Sequence, residues 1–215
     1  MISNKSKLII KIKIKLVAII IEYQKKYFKN RYRKKLKNKD FTIISSNCNG
    51  AVITSDLGIR FNSPTVNLFF YPDDYLKFVS NIKFYVEQEL IEDKSSNLYY
   101  PVGILFDIKI HFMHYNSFKE AKEKWDIRKR RINYNNIFIM FTDRDGCTYE
   151  HIKEFDSLQY KNKVIFTNKH YNEFKSSYYI RGFENEDSVG ILSEFIKNTG
   201  KRRIYEFDFV KWLNK

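Results

Sequence analysis

From residue 40 onward, strand-type and helix-type hydrophobic patterns take turns, and this alternation limits the fold more than any other feature of the chain. Strand-type runs fall at 41–46, 65–70, 102–106, 108–115, 136–141, 163–167, 177–180 and 203–207. Helix-type runs fall at 49–57, 72–90, 117–131, 149–158, 189–197 and 209–213. Punctuation supports several of them. Gly58 stops the first helix, and Pro72-Asp73-Asp74 puts acids at the start of the second, where the helix dipole favours them. Ser117 with Glu120 is a capping box. The pattern predicts an α/β fold, a mostly parallel sheet with helices on both faces. Ligands of such sheets bind beyond the carboxyl ends of the strands. Two turns follow strands in that way, one carrying Cys48 and the other Asp143-Arg144-Asp145-Gly146.

The net charge of +14 first reads as a nucleic-acid signal. Its distribution argues otherwise. Residues 1–39 hold 14 Lys/Arg and one acid, Glu22, which leaves 25 basic against 24 acidic residues in 40–215. The chain is therefore read as a basic amphipathic N-terminal arm, 1–39, and a single nearly neutral α/β domain, 40–215. The arm alternates like a strand over 10–16, yet its apolar residues also fit helical spacing, and its length favours a helix. The uninterrupted apolar run from Leu16 to Ile21 is too short for a transmembrane helix, which needs ~20 residues. Lysines and arginines follow at once with no small-residue cleavage site, so a secretory signal is not expected. Two uses remain open: lying on an anionic membrane surface, with each Lys/Arg near the surface contributing ~1 kcal/mol, or packing on the body ahead of a solvated basic linker. Nucleic acid is not the expected partner.

A hydrophobic content of 43% supports a packed core rather than disorder. Two cysteines, Cys48 and Cys147, cannot form a disulfide framework, so a reducing compartment is the default. The chain lacks G-x-G-x-x-G, a Walker loop, G-x-S-x-G and Cys-x-x-Cys, so dinucleotide, P-loop, hydrolase-elbow and zinc-ribbon readings have no support.

Three constellations bear chemistry. Cys48 precedes a helix, whose N-terminus lowers a thiol pKa, and a nucleophilic cysteine needs a base. His111 and His114 are the candidates. On a strand over 108–115 they point to opposite faces, which argues against a shared metal site and leaves His111, beside Lys109 and Tyr115, as the preferred partner. The bland alternative for Cys48 is a buried inert thiol. Second, Phe118, Ala121, Trp125, Arg128 and Ile132 share one helix face, so Arg128 interrupts an apolar stripe. Arg128 with Arg131 reads as an anion clamp for a nucleotide or a lipid-linked pyrophosphate, or else as an internal salt bridge or a snorkelling stem. Third, Asp143 and Asp145 resemble the Asp-x-Asp pattern that holds Mg²⁺ or Mn²⁺ against a sugar nucleotide. Asp-Gly is also a good turn.

Five segments together resemble a bacterial family built on a domain of unassigned function, whose members are commonly described as capsular or exopolysaccharide biosynthesis proteins. They are Ser46-Asn47-Cys48-Asn49-Gly50; Ser63-Pro64-Thr65; Phe106 to Tyr115 with both histidines; Lys124-Trp125 with Arg128 and Arg131-Ile132-Asn133; and Phe141 to Cys147. The family often places a Gly-Gly pair after the cysteine, where this chain has Gly50-Ala51. The resemblance implies a cytoplasmic protein, peripheral at the inner membrane face, acting on a glycan or a lipid-linked glycan precursor. On that basis Asn47, Ser63, Arg128, Arg131 and Asn133 become candidate substrate-binding residues. The first expected activity is acyl transfer from an acyl-CoA donor through Cys48 with His111 or His114 as base and Arg128 and Arg131 as a grip on the donor's phosphates. Alternatives are a metal-dependent transferase using a sugar nucleotide at Asp143 and Asp145, and a non-catalytic accessory of glycan assembly.

Overall fold

The computed structural model describes residues 4–215, with side-chain surroundings from residue 10 onward. Helix α1 (Asn4–Lys35) leads into β1 (Thr42–Ser45) and α2 (Asn49–Leu57). Then come α3 (Pro72–Ser80), α4 (Ile82–Glu87), β2 (Leu90–Glu92), β3 (Val102–Leu105), β4 (Ile108–His111) and α5 (Phe118–Lys129). The chain continues through β5 (Ile137–Thr142), α6 (Tyr149–Ser157), β6 (Lys163–Thr167), β7 (Ser177–Tyr179), a 3-10 turn (Arg203–Glu206) and α7 (Phe209–Leu213).

Strands β1, β5, β6 and β7 lie in that order in one sheet, and every pairing is parallel. The antiparallel trio β2, β3 and β4 forms a second, smaller sheet. This is the α/β architecture that the alternating pattern predicts. Period-two alternation sorts the strand side chains into two cores. Ile44, Ile139, Phe141 and Ile165 face α3, α5 and α6. Ile43, Phe138, Met140, Val164 and Phe166 face α2 and α7, with Leu36 just past α1. Both faces are apolar because both are covered, as a parallel sheet requires, and each such side chain contributes about 1.5–3 kcal/mol on burial.

Helix α1 grips the body with its last turns. Tyr32 packs its ring 4.9 Å from both Tyr205 and Phe209. Lys29 Nζ lies 2.7 Å from the Asp56 carboxylate, and Arg33 Nε donates to Asp56 O. The helix continues through the basic stretch to Lys35, where a solvated linker was one expectation. Farther out, residues 10–20 are exposed. Among the described residues, no helix is long and apolar enough to cross a membrane.

Five expected elements take another form. Residues 65–70 are not a strand: Pro64 lacks a ladder donor and Asn67 sits at φ +63°, so the segment covers the β1 edge irregularly through Ser45 N to Thr65 Oγ1 and Phe70 N to Ser46 O. The long helix expected at 72–90 breaks at Asn81 (φ −149°), whose side chain accepts from Phe84 N and starts α4, and Leu90 already belongs to β2. Strand β4 stops at His111, so the opposite-face argument for His114 does not apply. Residues 189–197 are turns rather than a helix, and 203–207 coils as a 3-10 turn rather than a strand. Neither segment has a neighbouring strand to complete it except a single bridge between Phe195 and Arg202.

Candidate functional site at the carboxyl edge of the sheet

The chain emerges from β1 through Ser46 and Asn47 to Cys48, the residue at the head of α2. Asn47 organises this turn. Its Oδ1 accepts from Asn49 N at 3.1 Å, and its Nδ2 donates to Thr142 Oγ1 at the end of β5. Helix α2 can approach the sheet because residue 50 is glycine: a Cβ there would meet Ile43 Cγ2 at 2.8 Å and Ser45 Cβ at 2.9 Å. Gly58 (φ +70°) then ends the helix, as the sequence predicts.

Beyond these strand ends lies a cleft of about 520 Å³. Asn47, Cys48, Asn49, His114, Arg144, Asp145 and Ser193 supply its polar groups, and Phe69, Leu98, Tyr99, Tyr100, Met113 and Ile191 its apolar wall. Tyr99 is 89% exposed, a ring held out where a ligand can cover it. This is the crevice where doubly covered parallel sheets bind ligands. The larger groove at the foot of α1, lined by Arg31, Lys35, Lys201 and Lys211, is far more basic and holds none of the candidate residues.

Cys48 reaches this cleft half-buried, with Sγ 3.9 Å from Leu68 O. Burial pushes its thiol pKa up, and the backbone contact at Leu68 and the charge of Arg144 only partly oppose that. The helix N-terminus was expected to lower it; removal from water wins. Among the described residues, neither imidazole hydrogen-bonds to Cys48. His114 lines the cleft with it, on the turn after β4.

His111, the partner preferred from sequence, sits elsewhere. It is 5% exposed, stacked on Phe69 at 4.6 Å, edge-on to Tyr71, with Nδ1 3.5 Å from Tyr100 OH. Burial lowers its pKa, with Lys109 adding to the shift and Asp93 opposing it. It lies under the wall of the cleft, where burial favours the uncharged ring.

The two aspartates part company. Asp145 lines the cleft beside Arg144. Asp143 is buried, and its oxygens accept from Asn168 N and Val189 N at 2.7 Å each. Its carboxylate ties β5 to the loops after β6 and β7, so it does not fit a shared metal with Asp145. Ser63 is also internal, 2.9 Å from Thr65 Oγ1 under the β1 edge. Asn133 lies at the opposite, amino end of the sheet, where its N–H donates to Thr42 Oγ1. Arg128 and Arg131 meet around Phe61 rather than in the cleft. Sequence reasoning missed Arg144 as a cleft cation, since it appeared only as the spacer between two aspartates. It also missed Tyr99-Tyr100, whose loop carries no periodic signal.

The fold and crevice define a small α/β protein with a ligand cleft at the strand carboxyl ends, a framework that supports many chemistries. The chain belongs to the family described as Domain of unknown function (DUF1919), whose model matches residues 19–214. It is similar to an uncharacterized protein of Haemophilus influenzae (strain ATCC 51907 / DSM 11121 / KW20 / Rd). The two are 49% identical over 197 residues, which covers 90% of this chain and 94% of the relative.

Proposed function

We propose that this protein is a transferase of surface-glycan assembly that holds a glycan, or a lipid-linked glycan precursor, in the carboxyl-edge cleft. The observation that carries the reading is the cleft's composition. Two aromatic rings, the exposed Tyr99 and the half-buried Tyr100, flank convergent polar groups from Asn47, His114, Arg144 and Asp145. Rings of this kind cover the apolar faces of a sugar, and the polar groups address its hydroxyls. In the acyl-transfer form, His114 takes the Cys48 proton as the sulfur attacks the thioester carbonyl of an acyl-CoA. The departing CoA sulfur recovers that proton. A sugar hydroxyl then attacks the acyl-Cys48 carbonyl, its proton passing through His114 to the departing Cys48 sulfur, which leaves an ester and a free thiol. The raised thiol pKa and the missing imidazole contact favour a second reading, in which Cys48 only packs and the cleft binds glycan without turnover.

A thermal-shift panel on the full chain tests both, using acyl-CoAs and UDP- and CDP-sugars with and without Mn²⁺. A ligand at 100 times its Kd adds ~2.7 kcal/mol. Stabilisation that Asn47→Ala and Arg144→Ala abolish supports the cleft; stabilisation that survives both removes it. Loss of activity in Cys48→Ser separates transfer from binding alone.

The setting we infer is the inner face of the membrane, with the outer part of α1 lying on it. Ile14, Leu16, Ile19, Ile20 and Tyr23 are 54–72% exposed, interleaved with Lys11, Lys13 and Lys15. Water is a poor solvent for such a surface, and anionic headgroups complement its lysines. Full-length protein should sediment with phosphatidylglycerol vesicles and not with phosphatidylcholine vesicles, and Leu16→Glu with Ile20→Glu should release it. Equal sedimentation of that double variant would sink the idea.

A further inference from the structure

Three arginines converge around Phe61, away from the cleft. Arg128 lies over the Phe61 ring at 5.4 Å, and its Nη1 donates to Tyr115 OH at 2.6 Å. Arg131 Nη1 donates to Phe61 O at 3.4 Å. Arg60 is the residue before Phe61, on the loop that leaves α2. Thus one cation comes from the α2 loop and two from the end of α5.

These charges have no evident counterweight. Among the described residues, no carboxylate lies within ion-pair distance of Arg60, Arg128 or Arg131. Arg131 feels the lack: burial depresses its pKa, and the charges of Arg60 and Arg128 depress it further. A guanidinium has five N–H donors. Arg128 and Arg131 each give one to a protein acceptor and Arg60 gives none, again among the described residues. The carboxyl end of α5 offers some negative potential to Arg128 and Arg131. About half an elementary charge at a helix end does not balance three cations. Held apart from carboxylates and presented together, planar forks of this kind suit an oxyanion with several acceptor oxygens.

We propose that Arg60, Arg128 and Arg131 form a phosphate-binding site, taking a phosphate or diphosphate group against the Phe61 edge. Its ligand is either a free phosphate compound or the phosphate of a lipid-linked molecule, the shared chemistry being a dianionic phosphoryl group. Tyr115 buttresses the site: its hydroxyl accepts from Arg128 and donates to Val66 O at 3.0 Å, fixing the Arg128 fork. The site stands apart from the proposed glycan transfer and does not depend on it.

The test is calorimetric titration of the full chain with inorganic pyrophosphate and, separately, with vesicles of phosphatidic acid in phosphatidylcholine. Saturable pyrophosphate binding is expected, weakened at least tenfold by Arg60→Ala and by Arg131→Gln. Arg60 is exposed, so its variant keeps the fold. Arg144→Ala, which removes the cleft cation, should bind pyrophosphate as wild type does, which separates this site from the cleft. Lys201→Ala with Lys211→Ala should also bind normally, which separates it from the basic groove at α1. Vesicle binding that Arg60→Ala weakens, together with weak pyrophosphate binding, assigns the lipid source. The proposal is overturned if pyrophosphate and vesicles both fail to bind, if Arg60→Ala and Arg131→Gln leave binding unchanged, or if only the groove lysines matter.

Discussion

Asp56 holds Lys29 at 2.7 Å with its carboxylate 2% exposed, and this pair pins α1 to the far end of the helix that Cys48 begins. The same carboxylate accepts from Arg202 Nε at 2.6 Å and from Tyr205 OH at 2.7 Å. One buried anion therefore joins the N-terminal helix, α2 and the C-terminal segment. A shift of α1 would be felt at α2 and hence at the cleft.

Asp56→Ala should cost roughly 3–5 kcal/mol, because it leaves Lys29 and Arg202 without their buried partner. Burial by itself would raise the Asp56 pKa. The hydrogen bonds from Arg202, Lys29 and Tyr205 outweigh it and hold the pKa below the usual carboxylate range. A depressed carboxylate adds stability above its unfolded pKa, ~3.9, and loses it as pH falls through the folded value. Urea melts of wild type should weaken below about pH 4, and Asp56→Ala should lack that component. Equal slopes in both proteins would refute the assignment.

His111 gives a second, separate pH window. Its pKa is lowered chiefly by burial, so the native state prefers the neutral ring and the unfolded chain binds the proton more readily. Stability from this group is present above the unfolded pKa of ~6.5 and declines as pH falls through it. His111→Phe, which can keep the stack on Phe69, should fold and flatten the change between about pH 7 and pH 5. An unchanged slope in that window would show that the imidazole is not held neutral.

Cys48 should alkylate slowly at neutral pH and faster as pH rises, since burial keeps it a thiol. Cys147 should be slower still, its pKa pushed up to about 12 by burial and by the charges of Asp143 and Asp145. Arg144→Ala removes the cation that favours the Cys48 thiolate and should slow its alkylation further. Iodoacetamide labelling followed by mass spectrometry reads all three rates, and faster labelling of Arg144→Ala would contradict this account.

Gly50→Ala should destabilise by about 1–3 kcal/mol, because its methyl would enter the contact between α2 and β1. Thermal melts measure this directly. A wild-type midpoint in Gly50→Ala would mean that Ile43 and Ser45 yield more easily than the packing implies. The same substitution should tilt α2 and slow any reaction at Cys48.

The layers are legible in local sequence pattern alone. The continuous apolar runs within 136–141 and 163–167 mark strands covered on both faces, and caps at Gly58, Pro72 and Ser117 set helix ends within a residue or two. Those signals are local, carried by backbone propensity and by side chains a few positions apart. The sequence also placed Cys48 and Asp145 beyond strand ends, where the cleft forms. The remainder depends on contacts that exist only in the assembled fold. Residues 65–70 and 203–207 have strand composition, but a strand needs a partner with free backbone groups, and none is offered to them over more than one bridge. His111 and His114 differ by three positions, yet the end of β4 buries one and turns the other into the cleft. Asp143 and Asp145 separate because the amides of Asn168 and Val189, distant in sequence, claim one carboxylate. Contacts between segments far apart in the chain cost loop entropy and repay it only in the assembled fold, so no local pattern announces them.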